Sequence, residues 1–219
     1  MYAPARMSPF FFAGAAVTAA GAAGLLVAEA RGSQRGKWAT KPLASAGFLA
    51  AALGAGAADG DYGRVVLAGL VLAMAGDLLL IPKSRAAFLA GLVAFLLGHV
   101  AFALAFLLRG STLGRALPAL FVVGLASALT WRWLSSHVEG RMRVPVAIYV
   151  VVITAMVATA AGASEHSGGL LGLVGALMFY GSDLAVARER FVSRSFVNRA
   201  WGLPLYYAAQ LVIAASTAG

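Results

Sequence analysis

The 219-residue chain is 61% hydrophobic and only 11% charged, where a soluble domain carries roughly 25% charged residues; that excludes a water-facing globular fold. No cysteine is present, which excludes a disulfide framework, a thiolate nucleophile and a Cys-ligated metal. The formal charge of +9 would suggest nucleic acid in a soluble protein, but in a membrane protein basic loops on the anionic cytoplasmic leaflet account for it, so no nucleic-acid partner is expected.

A bilayer crossing takes roughly 20 apolar residues. On that measure the sequence reads as eight spans, about 8–29, 42–58, 62–81, 86–108, 112–134, 144–162, 168–187 and 200–217. The expectation is an all-α, eight-helix transmembrane bundle forming one domain over 1–219. The first apolar run, Pro9 to Ala28, is longer than the 7–15 residues of a signal-peptide core, so it is expected to span rather than be cleaved. Spans two and six are short, and the turn at Asp59–Tyr62 makes the second hard to delimit. Gly168 with Gly172, and Gly91 with Ala94 and Gly98, stand at the small-residue spacing that lets helices approach.

The loops after spans one, three, five and seven hold Arg31, Arg35, Lys37 and Lys41; Lys83 and Arg85; Arg132, Arg141 and Arg143; and Arg188, Arg190, Arg194 and Arg199. The other side holds Arg6, Arg64, Arg109 and Arg115. The positive-inside rule then puts the first set in the cytoplasm and both termini outside, with Arg6 arguing weakly the other way. A bacterial inner membrane is the expected setting. Met74-Ala75-Gly76-Asp77-Leu78 in span three resembles Tyr180-Gly181-Ser182-Asp183-Leu184 in span seven. The two matches are compatible with a 4+4 duplication, though short in so Ala- and Leu-rich a chain.

Ionisable residues inside a span are costly and point to function. Asp77 and Asp183 lie about four residues, roughly 6 Å, from the cytoplasmic ends of spans three and seven. Lys41 begins span two on that side. Tyr149 is in the first turns of span six, Tyr206, Tyr207 and Gln210 are in span eight, and His99 is near mid-membrane in span four. The polar side chains therefore gather in the cytoplasmic half, as a cavity opening on that side requires. A plainer reading has Asp77 and Asp183 capping helix ends or pairing with Lys83, Arg85, Arg188 or Arg190, His99 bonding a neighbouring helix, and the tyrosines forming an interfacial belt.

The run Gly76-Asp77-Leu78-Leu79-Leu80, followed by Phe88, Gly91, Phe95, Gly98 and His99, resembles the YhhN-like lysoplasmalogenase family of membrane hydrolases. So do Gly175 to Phe179 with Ser182-Asp183, then Phe191 and Tyr206-Tyr207-Ala-Ala-Gln210, as well as Lys41-Pro42 and Val144-Pro145 with Tyr149. The resemblance covers roughly 37–215 in order; Gly181 departs from it, standing where a larger apolar residue is expected. It implies an eight-helix enzyme that hydrolyses the vinyl ether of lysoplasmalogens to a fatty aldehyde and glycerophospho-ethanolamine or -choline, with Asp77 and Asp183 as the paired acids.

Vinyl ether hydrolysis begins with protonation of the carbon β to oxygen. It needs an acid, an anion near the resulting oxocarbenium ion and a base for water, roles two carboxyl groups can divide when their surroundings separate their pKa values. Asp77 and Asp183 fit those roles, without an assignment between them. His99, Tyr149, Tyr206, Tyr207 and Gln210 would orient water or the glycerol hydroxyl, and Lys41 with Arg190 or Arg199 would hold the phosphate. No metal or cofactor is expected: His137 and His166 fall in loops on opposite sides, which disfavours a His-rich zinc site.

Three alternatives stand beside this. An intramembrane aspartyl protease would need Gly-x-Gly-Asp, and Met74 and Tyr180 occupy the first Gly positions. A small transporter or lipid-binding protein fits buried acids and a repeat, but Pro118, Pro145 and Pro204 read as lying near span ends. A hydrolase of another ether or epoxide lipid would use the same pair of acids.

Overall fold

The computed structural model describes residues 7–218; Arg6 lies outside them. Eight α-helices follow in order: α1 Pro9–Ala30, α2 Gln34–Gly54, α3 Asp61–Leu79, α4 Arg85–Leu108, α5 Leu113–Leu134, α6 Gly140–Gly162, α7 Gly169–Ala187 and α8 Phe196–Ala215. A π-helical turn, Arg188–Val192, extends α7, and a 3-10 turn, Ser216–Ala218, ends α8. Six of the eight, all but α2 and α8, are long and apolar enough to cross a membrane.

Short joints separate the helices, and a serine caps the helix after three of them. The hydroxyls of Ser33 and Ser84 accept from the Gly36 and Ala87 amides at 3.1 Å, meeting donors that the first turn leaves free. These joints are too short for anything but antiparallel neighbours. α1 packs on α2, α3 on α4, α5 on α6 and α7 on α8. α2 also meets α3, α4 meets α6, α6 meets α7, and α8 closes on α1 and α2. α5 stands outside this ring, with only Ser127 and Leu134 buried. Phe48, Phe102, Phe106, Phe179 and Tyr207 fill the centre, while Phe121, Val122 and Leu117 are exposed. Apolar surface on that scale is tolerable against lipid and not against water.

Three helices begin earlier than the hydropathy pattern predicts: α2 at Gln34 rather than 42, α6 at Gly140 rather than 144, α8 at Phe196 rather than 200. In each, a proline and the basic residues before it mimic a span boundary. Pro42, Pro145 and Pro204 lie inside the helices instead, and Pro42 and Pro204 stand near the middle of theirs. Lys41 is thus not a loop charge but a buried residue of the third turn of α2. Gly168 also differs from expectation. It precedes α7 with φ +68, a left-handed backbone suited to glycine. Gly172 does allow close packing: a Cβ there would come within 2.6 Å of the Phe106 ring.

Candidate active site

Asp77, 2% exposed, sits in the last turn of α3. Its carboxylate gathers donors from two other helices. From α2, Lys41 Nζ pairs with Oδ1 at 3.1 Å and donates to the Asp77 carbonyl at 3.0 Å, and Ser45 Oγ donates to Oδ2 at 2.7 Å. From α8, the Tyr206 and Tyr207 hydroxyls donate to Oδ2 at 2.9 and 3.5 Å. One ammonium and three hydroxyls thus converge on a single carboxylate. Lys41 and Ser45 are four apart, on one face of α2, so both reach the same acid.

Asp183 occupies the matching place on α7 and is more open, its side chain 18% exposed against 3% for Asp77. Tyr149 of α6 donates to Oδ2 at 2.8 Å. His99 of α4, fully enclosed, places Nε2 3.4 Å from the same oxygen, close but not aligned as a hydrogen bond. His99 Nδ1 lies 2.6 Å from the Phe95 carbonyl. A carbonyl only accepts, so Nδ1 carries a proton and donates to it, which turns Nε2 toward Asp183.

The two acids lie toward the same end of the bundle but share no hydrogen-bond partner among the described residues. Contacts from one to the other pass through aromatic rings: His99 against Phe179 with centroids 4.4 Å apart, and Phe179 against Tyr206 at 5.4 Å. The acids do not pair with Lys83, Arg85, Arg188 or Arg190; their partners come from α2, α4, α6 and α8. Gln210, one turn beyond Tyr206, is fully buried with neither amide atom hydrogen-bonded, and an unmet polar group of this kind costs about 1–3 kcal/mol unless water or a ligand meets it.

The basic residues expected to hold a phosphate are placed otherwise. Lys41 is committed to Asp77. Arg199 bridges Glu29 and Glu189 at 2.6 Å each, in a network with Lys37 and Asn198. Arg190 lies with its guanidinium 4.2 Å above the Phe88 ring. Ser45, Glu29, Glu189 and Asn198 carry no sequence signal as distinctive as a mid-span aspartate. Only Ser45, one turn after Lys41, could have been found from spacing.

Comparison with known proteins places this arrangement. The sequence pattern of the YhhN family matches residues 36–217, which takes in every residue of both acid clusters. The chain belongs to the YhhN family. This YhhN-family chain is 32% identical over 157 residues to the lysoplasmalogenase TMEM86A of Bos taurus, a match covering 69% of the chain and 64% of the bovine protein. It is 35% identical over 182 residues to the lysoplasmalogenase of Mycobacterium tuberculosis, covering 78% and 67%. The chain thus spans a little under two-thirds of the bovine relative's length. No solved structure matches it.

Proposed function

We propose that this protein is a membrane-embedded hydrolase of lysoplasmalogens, cleaving the vinyl ether to a fatty aldehyde and a glycerophospho-base. Its similarity to proteins named lysoplasmalogenase supports the substrate class. The observation that carries the reading is the contrast between the two acids. Asp77 is closed in by Lys41 and three hydroxyls. Asp183 is more open and faces an imidazole nitrogen able to exchange a proton with it.

In this mechanism protonated Asp183 delivers its proton to the carbon β to the ether oxygen. The oxocarbenium ion that forms is stabilised by the fixed negative charge of Asp77 across the aromatic layer. Water adds to the carbon bearing oxygen, and its proton passes to the Asp183 carboxylate or His99 Nε2. The hemiacetal then collapses, its hydroxyl proton leaving as the glycerol oxygen gains one, to aldehyde and alcohol. Gln210 and Tyr149 supply polar groups that orient water or the glycerol. The chemistry draws on no group beyond these side chains and water.

The reading extends to topology. All eight helices would span, in a bacterial inner membrane, with both termini outside, the acids near the cytoplasmic face, and residues 1–219 forming one unit. A 4+4 relationship is supported by how the acids are seated: Asp77 of α3 between α2 and α8, Asp183 of α7 between α6 and α4. Gly91, Phe95 and His99 on α4 recur in spacing as Gly202, Tyr206 and Gln210 on α8.

The test is aldehyde release by the purified protein from a vinyl-ether lysolipid without ion gradient or cofactor. Asp183→Asn should reduce kcat by about 10²–10⁴-fold, the range of a general acid, with thermal unfolding unchanged. Full turnover by this variant overturns the mechanism. The mid-helix positions of Pro42 and Pro204 beside the Asp77 cluster favour a second reading, transport, which binding without aldehyde release would support.

A further inference from the structure

The proposed substrate has one hydrocarbon chain joined directly to the bond that reacts. The chain needs a path that keeps it in an apolar medium while the bond reaches Asp183. Between α4 and α6 lies a groove of about 230 Å³, walled by Leu92, Leu96, Val144, Pro145 and Ile148, with Tyr149 along it. Val144 and Ile148 are 67% and 49% exposed, so the groove opens sideways, on the surface of two helices apolar enough to cross the membrane. α5 packs on α6, and its Trp131 and Leu134 pack in one cluster with Leu92 at one end of the groove.

The groove meets the acid site at Tyr149. Tyr149 donates its hydroxyl to Asp183 at 2.8 Å and sets its ring edge-on to His99, centroids 5.2 Å apart. A second hollow, about 540 Å³ beside Arg64, Leu67 and Val71, flanks α3 away from Asp77 and has neither acid in its lining. From these observations we propose that the α4/α6 groove is a lateral port, in which the alkenyl chain of the lysolipid lies with its ether end at Tyr149. This rests on the hydrolase reading.

Three features fit a single hydrocarbon chain. The walls are aliphatic, which would leave a charged headgroup desolvated and unpaired. The volume is below the roughly 300–1,000 Å³ of a pocket that encloses a whole drug-sized ligand, so it takes part of one chain and not a two-chain lipid. Asp183, which accepts from Tyr149 of the groove, is also the more exposed of the two acids.

The experiment compares long- and short-chain vinyl-ether lysolipids on the purified protein and on Leu96→Trp and Ile148→Trp, in which an indole fills the groove. The ratio of long- to short-chain kcat/KM should fall by about tenfold or more in both, and stay at the wild-type value in Leu67→Trp, which alters the other hollow. An unchanged ratio in the two groove variants overturns the port. A lysolipid with a photoreactive diazirine in its chain gives a readout independent of turnover and of how well the variants fold. It should label the wild-type protein on peptides of α4 and α6, and labelling confined to other helices overturns the port. Wild type that releases no aldehyde but is labelled along α4 and α6 defeats the hydrolase reading and leaves the port standing.

Discussion

Lys41 and Asp77 form an ion pair closed off from water, with side chains 10% and 3% exposed. Two buried charges repay their desolvation only together, and removing one partner typically costs about 3–5 kcal/mol because the other is left uncompensated. Lys41→Met should therefore lower the thermal unfolding temperature in detergent sharply, and Asp77→Asn should do likewise. The double variant should regain a large part of the loss, since it leaves no lone charge. Additive losses in the double variant would mean that the pair is not coupled. Asp183→Asn breaks no such pair, so it tests the proposed mechanism apart from stability where Asp77→Asn cannot. The acids, His99, the tyrosines and Gln210 were legible in the sequence because a polar side chain inside an apolar run has few bland explanations. Their partners were not. Lys41 lies 36 residues from Asp77, and nothing local to Arg199 reveals that Glu29 and Glu189 already occupy it. Whether a charge is free or spoken for is a tertiary fact.

At the scale of helices, the eight helices were legible by hydropathy and the starts of three were not. The windows for α1, α3, α4, α5 and α7 agree with the structure to within two residues at either end. α2, α6 and α8 begin earlier, because a helix whose first turns carry Arg35 and Lys37, or Arg141 and Arg143, looks like loop to an apolar count. How closely helices pack was legible only as an abundance of glycine. The tightest packing lies between α1 and α2. A Cβ on Gly21 would fall 2.7 Å from the Ala44 backbone nitrogen, and one on Gly47 would fall 2.6 Å from the Thr18 backbone nitrogen. Backbone cannot rotate away as a side chain can, so either helix must shift. Gly21→Ala and Gly47→Ala should each destabilise by about 1–3 kcal/mol, the usual cost of overpacking. Gly124→Ala on α5, with nothing within 4 Å, should be neutral or stabilising by a few tenths up to about 1 kcal/mol. Equal thermal shifts for Gly47→Ala and Gly124→Ala would show that the α1/α2 contact carries no such constraint.

For the whole molecule, the proposed orientation rests on charge. Basic residues crowd one end of the bundle, in the first turns of α2, α6 and α8, the joint before α4 and the π turn after α7. The other end holds Arg64, Arg109 and Arg115. Arg109 is partly withdrawn into the protein there, donating to the Ser216 carbonyl at 2.6 Å with its guanidinium 3.5 Å over the Tyr62 ring. A bilayer with an anionic inner leaflet orients such a bundle with its crowded end inward. Because the chain has no cysteine, single cysteines report side directly. Ser136→Cys in the α5–α6 joint and Ser193→Cys between the π turn and α8 should react with a membrane-impermeant maleimide only after the cells are opened. Ser164→Cys, in the α6–α7 joint at the other end, should react in intact cells. If Ser136→Cys and Ser164→Cys react from the same side, α6 does not cross, and the eight-span arrangement fails with it. If all three respond with sides exchanged, the bundle is inverted, and the acids would meet lysolipid from the outer leaflet instead of the inner one. The α4/α6 groove would serve either leaflet, since it faces the lipid rather than water. The labelling pattern therefore decides which leaflet supplies the substrate without bearing on how the acids cleave it.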